Sequence, residues 1–135
     1  MRHRKKTVKL GRTSSHRNEL LSNLVCNLIK HGRIKTTLAK AKAARSLAEK
    51  MMTLAKKGSL SDRRLAIAKL KQVGIVKELF DTKSKSFQER QGGYTRIIKL
   101  GKRISDSSEM VILEWVEQDN FSDSSDVTTS DVASK

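Results

Sequence analysis

Acidic residues are scarce through most of this 135-residue sequence, and proline, cysteine and aromatic residues are nearly absent. Residues 1–104 contain 28 basic and 6 acidic side chains, a balance of +22, whereas residues 105–135 contain 1 and 8. So few acids leave no evident carboxylate pair for general acid–base catalysis. The single cysteine, Cys26, excludes an intramolecular disulfide and a multi-cysteine zinc site. The lack of proline carries no functional conclusion.

Long apolar runs and metal-ligand spacings are also missing. No apolar stretch approaches the ~18 residues of a membrane-spanning helix, and none follows the charged start as in a signal peptide. The three histidines, His3, His16 and His31, form no His-x-x-x-His or Glu-x-x-His pattern. Gly92-Gly93 precedes a predicted strand rather than a helix, which is typical of a turn and not of a phosphate loop. We therefore expect a non-enzymatic protein without a metal site or cofactor.

The excess of basic residues indicates an anionic partner. A body with this charge gains from a polyanion through electrostatic steering and the release of condensed counterions. Its bases are spread over the start of the chain, a strand, helix starts and a hairpin, which suits a folded RNA that surrounds the protein. No recognition helix of a duplex-DNA reader is evident. The first alternative is a non-specific, nucleoid-type DNA-binding protein. The second is an RNA-processing enzyme, but the sequence contains no visible nucleophile, metal site or acid pair for one.

Both ends of the chain have compositions typical of disorder. The first seventeen residues carry seven Lys or Arg and no acid, and their only aliphatic residues are Val8 and Leu10. Burying so few apolar side chains cannot offset the conformational entropy lost when the segment becomes ordered. Residues 1–14 are therefore predicted to form a basic RNA-binding arm. Residues 118–135 are predicted to be a disordered acidic tail, either a shield for the basic body or a solvated spacer. Residues 15–117 are expected to form a single α+β domain.

The first helical segment is predicted to begin at Ser14 or Ser15, which can cap it, and to end near His31 before Gly32. Apolar residues recur with helical spacing and share one half of this helix. They are Leu20, Leu21, Leu24, Val25, Leu28 and Ile29. Cys26 falls on the opposite half, so we expect it outside the core and without a functional thiol.

Three further helices are predicted after a short strand. The longest spans about 38–57 and turns Glu49 outward, and two shorter helices follow within residues 59–80. Residues 81–91 are predicted to be a polar loop with room for one helical turn. Phe87 is the single aromatic anchor of this loop.

The alternating segment 33–37 predicts a strand, and residues 94–116 predict a hairpin of two strands. If the hairpin pairs symmetrically about Ser105, Arg96 lies opposite Glu114, and such a pair contributes a few tenths to about 1 kcal/mol. Helices grouped together, rather than alternating with every strand, indicate a two-layer α+β domain.

Five segments of the sequence together resemble one known family. In order they are Met1-Arg2-His3-Arg4, Leu10 to Arg17, Ile34 to Leu38 with Ala41-Lys42, Arg63-Arg64-Leu65-Ala66, and Gly92 to Ile97. They are similar, in the same order, to segments of the bacterial large-subunit ribosomal protein called L-seventeen. The chain departs from that pattern at Ala39, where relatives often have proline, and in the acidic tail after Glu117, which exceeds the usual ending.

The resemblance implies an α+β fold with a small mixed three-stranded sheet and a structural role in the bacterial large ribosomal subunit, in the cytoplasm. It also implies binding to large-subunit (23S-type) rRNA near the peptide exit tunnel, beside other ribosomal proteins. Carried over residue by residue, it implies RNA contacts at Arg2, His3, Arg4, Arg12, Ser15, His16, Arg17, Lys35, Thr36, Thr37, Arg63, Arg64, Gly93, Tyr94 and Arg96. The charge pattern adds Lys5, Lys6, Lys9, Arg33, Lys40 and Lys99.

Overall fold

The computed structural model describes residues 8–116, which form four α-helices, one 3-10 helix and three strands. The helices are α1 (Ser14–His31), α2 (Leu38–Lys57), α3 (Leu60–Leu70) and α4 (Val73–Asp81), with the 3-10 helix at Lys83–Phe87. The strands are β1 (Arg33–Thr37), β2 (Thr95–Lys102) and β3 (Glu109–Trp115). The α+β fold and the order of its elements are confirmed. Residues 1–7 of the predicted basic arm (residues 1–14) and the whole predicted acidic tail lie outside the described residues, whereas Ser14, the last residue of that arm, belongs to α1.

The three strands form one antiparallel sheet in the order β1-β3-β2. β3 pairs antiparallel with both of its neighbours. β1 and β2 therefore run in the same direction, but β3 separates them, so no parallel pair forms. The expectation of a mixed sheet is wrong for this reason.

The hairpin register agrees with symmetric pairing over most of its length. Arg96 lies opposite Glu114, as predicted. The register shifts between Lys99 and Gly101, so Gly101, rather than Leu100, pairs with Met110. Gly101 has φ of 102°, a backbone conformation that glycine adopts without the steric cost of a Cβ, and this bulge adds one residue to β2.

α1 begins at Ser14, as predicted, but the capping position before it is Thr13 and not a serine. Thr13 makes no side-chain cap bond, whereas Ser59 caps α3 by accepting a hydrogen bond from the Asp62 amide at 3.1 Å. α3 ends when Lys71 takes a left-handed conformation with φ of 60°. The chain then enters α4, whose first residue is Val73.

Cys26 lies in the core, contrary to the prediction. It is 3% exposed, and its Sγ lies 3.7 Å from the Leu70 carbonyl oxygen. α1 contacts α2, β1 and β3 and also α3 and α4, so both halves of the helix are covered. Ser22, near Cys26, is buried too and donates to the Lys69 carbonyl at 2.6 Å. Burial raises the pKa of the Cys26 thiol, which disfavours a reactive thiolate.

Glu49 turns toward the sheet and not outward. Its carboxylate accepts hydrogen bonds from the backbone amides of Tyr94 at 3.1 Å and Thr95 at 3.0 Å, and from the Thr95 hydroxyl at 2.8 Å. These amides lie where the chain enters β2, and burying them without partners would be costly. Glu49 thereby fixes the start of the hairpin against α2.

A double-mutant cycle tests the pairing of Arg96 with Glu114. Arg96→Glu and Glu114→Arg should each destabilise the protein, and the double reversal should recover part of the loss, with a coupling of at least ~0.5 kcal/mol. Recovery should be incomplete because Glu114 also lies 3.9 Å from Arg33, which would face the new arginine. Urea unfolding of the four proteins measures the cycle, and strictly additive losses would contradict the pairing.

Candidate nucleic-acid interface

The entrance to α1 carries a first group of predicted contact residues. They are Lys9, Arg12, Ser15, His16 and Arg17. Leu10 and Gly11 have φ of 55° and 63°, which makes a left-handed turn there, and Arg12 Nη1 donates to the Leu10 carbonyl at 2.8 Å. The first turn of α1 contains no acidic residue. Basic side chains and the positive end of the helix dipole therefore share this end of α1.

A groove of ≈540 Å³ opens beside the entrance to α1, between α1, α2 and α3. Ser15 lines it together with Lys50, Lys69 and Lys71. Among the described residues that line it, the only acid is Glu19, 3.6 Å from Lys71 Nζ. None of these three lysines was predicted as a contact, because they are distant from Ser15 in sequence and only helix packing brings them together.

A second group of predicted residues lies on the sheet face that points away from the helices. Strand pairing places Arg33 and Lys35 of β1 and Arg96 of β2 on this outer face, and all three are exposed. Their neighbours Ile34 and Ile97 point to the opposite face, where they pack against the core. Alternation along the strands thus separates the charged side chains from the core.

Glu114 lies between the arginines of the two outer strands. It is 6% exposed; Arg96 donates through Nε to its Oε1, and Arg33 Nε lies 3.9 Å from its Oε2. A cavity of ≈330 Å³ opens around the three side chains, and we call it the Glu114 cavity. Its lining residues are Lys30, His31, Gly32, Arg33, Lys83, Arg96, Glu114 and Trp115. Glu114 is the only acid among these described residues.

Two further predicted contact residues have partners within the protein, and a third is buried. Arg63 Nη2 lies 3.1 Å from an Asp81 oxygen. Tyr94 is 5% exposed, its ring meets that of Phe87 edge-on at 5.8 Å, and its hydroxyl accepts from Lys56 Nζ at 3.3 Å. The Tyr94 ring therefore belongs to the core, not to a stacking surface for RNA bases. The Thr36 side chain is buried as well, at 7% exposure.

The other predicted contacts are dispersed over the surface. Thr37 ends β1, Lys40 lies in the first turn of α2, and Arg64 is exposed on α3. Gly93, with φ of 58°, accepts a hydrogen bond from Arg90 Nε, and Lys99 is exposed on β2. Arg2, His3, Arg4, Lys5 and Lys6 lie outside the described residues.

Sequence reasoning missed three residues of the Glu114 cavity: Lys30, His31 and Lys83. Lys30 and His31 form the last turn of α1, and Lys83 begins the 3-10 helix. Pattern analysis did predict Arg96 opposite Glu114. It contained no signal that β1 would pair on the other side of β3 and bring the end of α1 to the same point.

Within residues 8–116, no three or more His, Cys, Asp and Glu side chains are grouped to hold a metal ion. No helix in that range is long and apolar enough to cross a membrane.

Comparison with known proteins identifies relatives over most of the chain. A family model described as "Ribosomal protein L17" matches residues 20–116. Proteins named "Large ribosomal subunit protein bL17" are 51% identical in Methylacidiphilum infernorum and 52% identical in Akkermansia muciniphila, each over 87% of this chain and 89% and 86% of the relative. A third, from Novosphingobium aromaticivorans, is 48% identical over 97% of this chain and 95% of its own length.

Proposed function

The chain belongs to the ribosomal protein L17 family, and we propose that it binds large-subunit rRNA near the peptide exit tunnel and stabilises the folded RNA by neutralising its phosphates. As a member of this family it is a structural protein of the large ribosomal subunit and not an enzyme. The proposal includes contacts with neighbouring ribosomal proteins and a ribosomal location in the bacterial cytoplasm. The position near the exit tunnel is what the family resemblance implies.

The observation that carries the proposal is the presence of two cationic surfaces at opposite ends of α1. One surrounds the entrance to the helix, and the other is the Glu114 cavity, which the last turn of the helix lines. α1 has 18 residues, and a rise of 1.5 Å per residue makes it about 27 Å long. Two basic surfaces at that separation can hold different segments of one folded RNA.

Phosphate neutralisation supplies the stabilisation. RNA segments repel one another through their phosphates, and each Lys or Arg contact releases condensed counterions. Such contacts position the protein on the RNA without reading its sequence. In this proposal the basic arm, residues 1–14, adds further phosphate contacts at the entrance to α1.

Sedimentation of a cell lysate tests the proposal. On a gradient at low magnesium, which separates the two ribosomal subunits, we expect the protein to migrate with the large-subunit peak. Treatment with ribonuclease before the gradient should move it to the top, because the RNA holds it in the particle. Absence from the large-subunit peak of the untreated lysate would contradict the proposal.

A further inference from the structure

The Glu114 cavity differs from an ordinary basic surface because a buried acid lies between its two arginines. Glu114 is 6% exposed, whereas the side chains of Arg33 and Arg96 are 74% and 58% exposed. Both arginines approach the carboxylate through Nε. Among the described residues neither guanidinium has another hydrogen-bond or ion-pair partner, so their Nη groups are left for a ligand.

We infer that the Glu114 cavity binds a phosphate of the RNA backbone, with Arg33 and Arg96 as two donor forks that Glu114 orients. This inference rests on the proposed function and adds a defined ligand position to it. A guanidinium presents a planar fork of donors that matches the oxygens of a phosphate. Holding both forks in place before binding reduces the side-chain entropy lost on binding.

The charges around the cavity favour an anion. Among the described lining residues, Lys30, Arg33 and Arg96 are cationic, and Glu114 is the only acid. Glu114 neutralises part of the repulsion between the two arginines and allows them to converge. Without the Glu114 carboxylate, the two guanidinium groups would move apart, because like charges repel.

The cavity suits the RNA backbone rather than a base. Its volume of ≈330 Å³ lies near the lower end of the ~300–1,000 Å³ typical of ligand pockets. The indole of Trp115, which lines the cavity, is 4% exposed and donates through Nε1 to the Leu28 carbonyl at 3.1 Å, so its face is closed to base stacking. The other ring at the cavity is the exposed imidazole of His31, which can donate a hydrogen bond to a phosphate oxygen. Binding here should add affinity without adding sequence preference.

Two substitutions test the role of Glu114. The direction of the change in RNA affinity distinguishes a carboxylate that orients the arginines from one that only reduces the positive charge of the surface. Glu114→Gln removes a negative charge, so an unspecific electrostatic surface would bind refolded, protein-free large-subunit rRNA more tightly. We expect binding about tenfold weaker, because the arginines lose the carboxylate that orients them. Asp106→Asn is the matched control, since Asp106 also pairs with an arginine, Arg103, at 2.6 Å, but at the exposed hairpin tip. This control should bind RNA as tightly as the unmodified protein, or more tightly.

A second variant keeps the test valid if Glu114→Gln folds poorly. Arg33→Lys retains the charge of an exposed residue but removes the planar fork, and we expect RNA binding about three- to fivefold weaker. Arg103→Lys is the matched control and should bind unchanged. Unchanged binding by Arg33→Lys, or tighter binding by a folded Glu114→Gln, would overturn the inference and leave the proposed function intact. Failure of the unmodified protein to bind the rRNA would overturn both.

Discussion

Replacing Phe87 by alanine is expected to lower the free energy of unfolding by about 3–5 kcal/mol, the usual cost of deleting a fully buried phenylalanine. Phe87 is 1% exposed although it belongs to a polar segment. Its ring lies 5.8 Å from the Tyr94 ring, edge to face, and 5.9 Å from the Trp115 ring. Phe87 thus links the 3-10 helix to the start of β2, next to Tyr94, and to the end of β3, at Trp115. Its removal leaves a cavity among these three elements.

Urea unfolding measures this loss as a lower midpoint with an unchanged slope. Ile104→Ala is the control, because Ile104 is fully exposed in the hairpin loop and its truncation should change stability by no more than ~0.5 kcal/mol. A loss below ~1 kcal/mol for Phe87→Ala would mean that the aromatic cluster does not support the fold.

RNA binding is expected to weaken by about four orders of magnitude between 50 and 200 mM salt. If about eight phosphates are contacted, log affinity falls with log salt at a slope of about −6 to −7. The basic excess of the chain and the two cationic surfaces at the ends of α1 are the physical reason. Titration of large-subunit rRNA at several salt concentrations gives the slope. A slope shallower than about −2 would contradict phosphate neutralisation as the source of affinity.

Single substitutions and a competitor refine this measurement. Arg33→Gln should reduce the magnitude of the slope by about one, because it removes one phosphate contact. Duplex DNA at matched salt is the competitor that separates RNA binding from the non-specific DNA-binding alternative. Equal affinity for the duplex would favour that alternative, whereas preference for folded rRNA supports the proposed function.

Local sequence patterns predicted the individual elements well. Apolar spacing located α1 and α2, and glycines marked their ends at Gly32 and Gly58, which both adopt positive φ. Alternation located the strands, and the single acid of β3 predicted its partner Arg96. These features depend on neighbours along the chain or across one hairpin, so short-range pattern is sufficient for them.

The errors arose where distant elements meet. Cys26 is buried because α3 and α4 cover the half of α1 that seemed exposed. Glu49 faces inward because the backbone amides of Tyr94 and Thr95 need an acceptor. Phe87, which was assigned to a polar loop, is buried against the rings of Tyr94 and Trp115. In each case the neighbour is more than six residues away, beyond the reach of a helical or strand period.

For the binding residues too, the sequence indicates the kind of partner, whereas the tertiary structure determines which residues act together. Composition alone indicated an anionic partner, because 28 bases against 6 acids in residues 1–104 repel one another unless a polyanion neutralises them. Composition does not say which bases act together. Arg33 and Arg96 are 63 positions apart, and they converge only because β3 inserts between β1 and β2 and places Glu114 between them.

The amino-acid sequence by itself determined the class of partner, the order of elements and the hairpin register, since charge and periodicity are properties of the chain. Only the tertiary structure decided which face of α1 is buried, that the sheet is antiparallel, and that two arginines share one buried carboxylate. Those outcomes depend on the pairing of residues distant in sequence, which is governed by the packing of complete elements rather than by local preference.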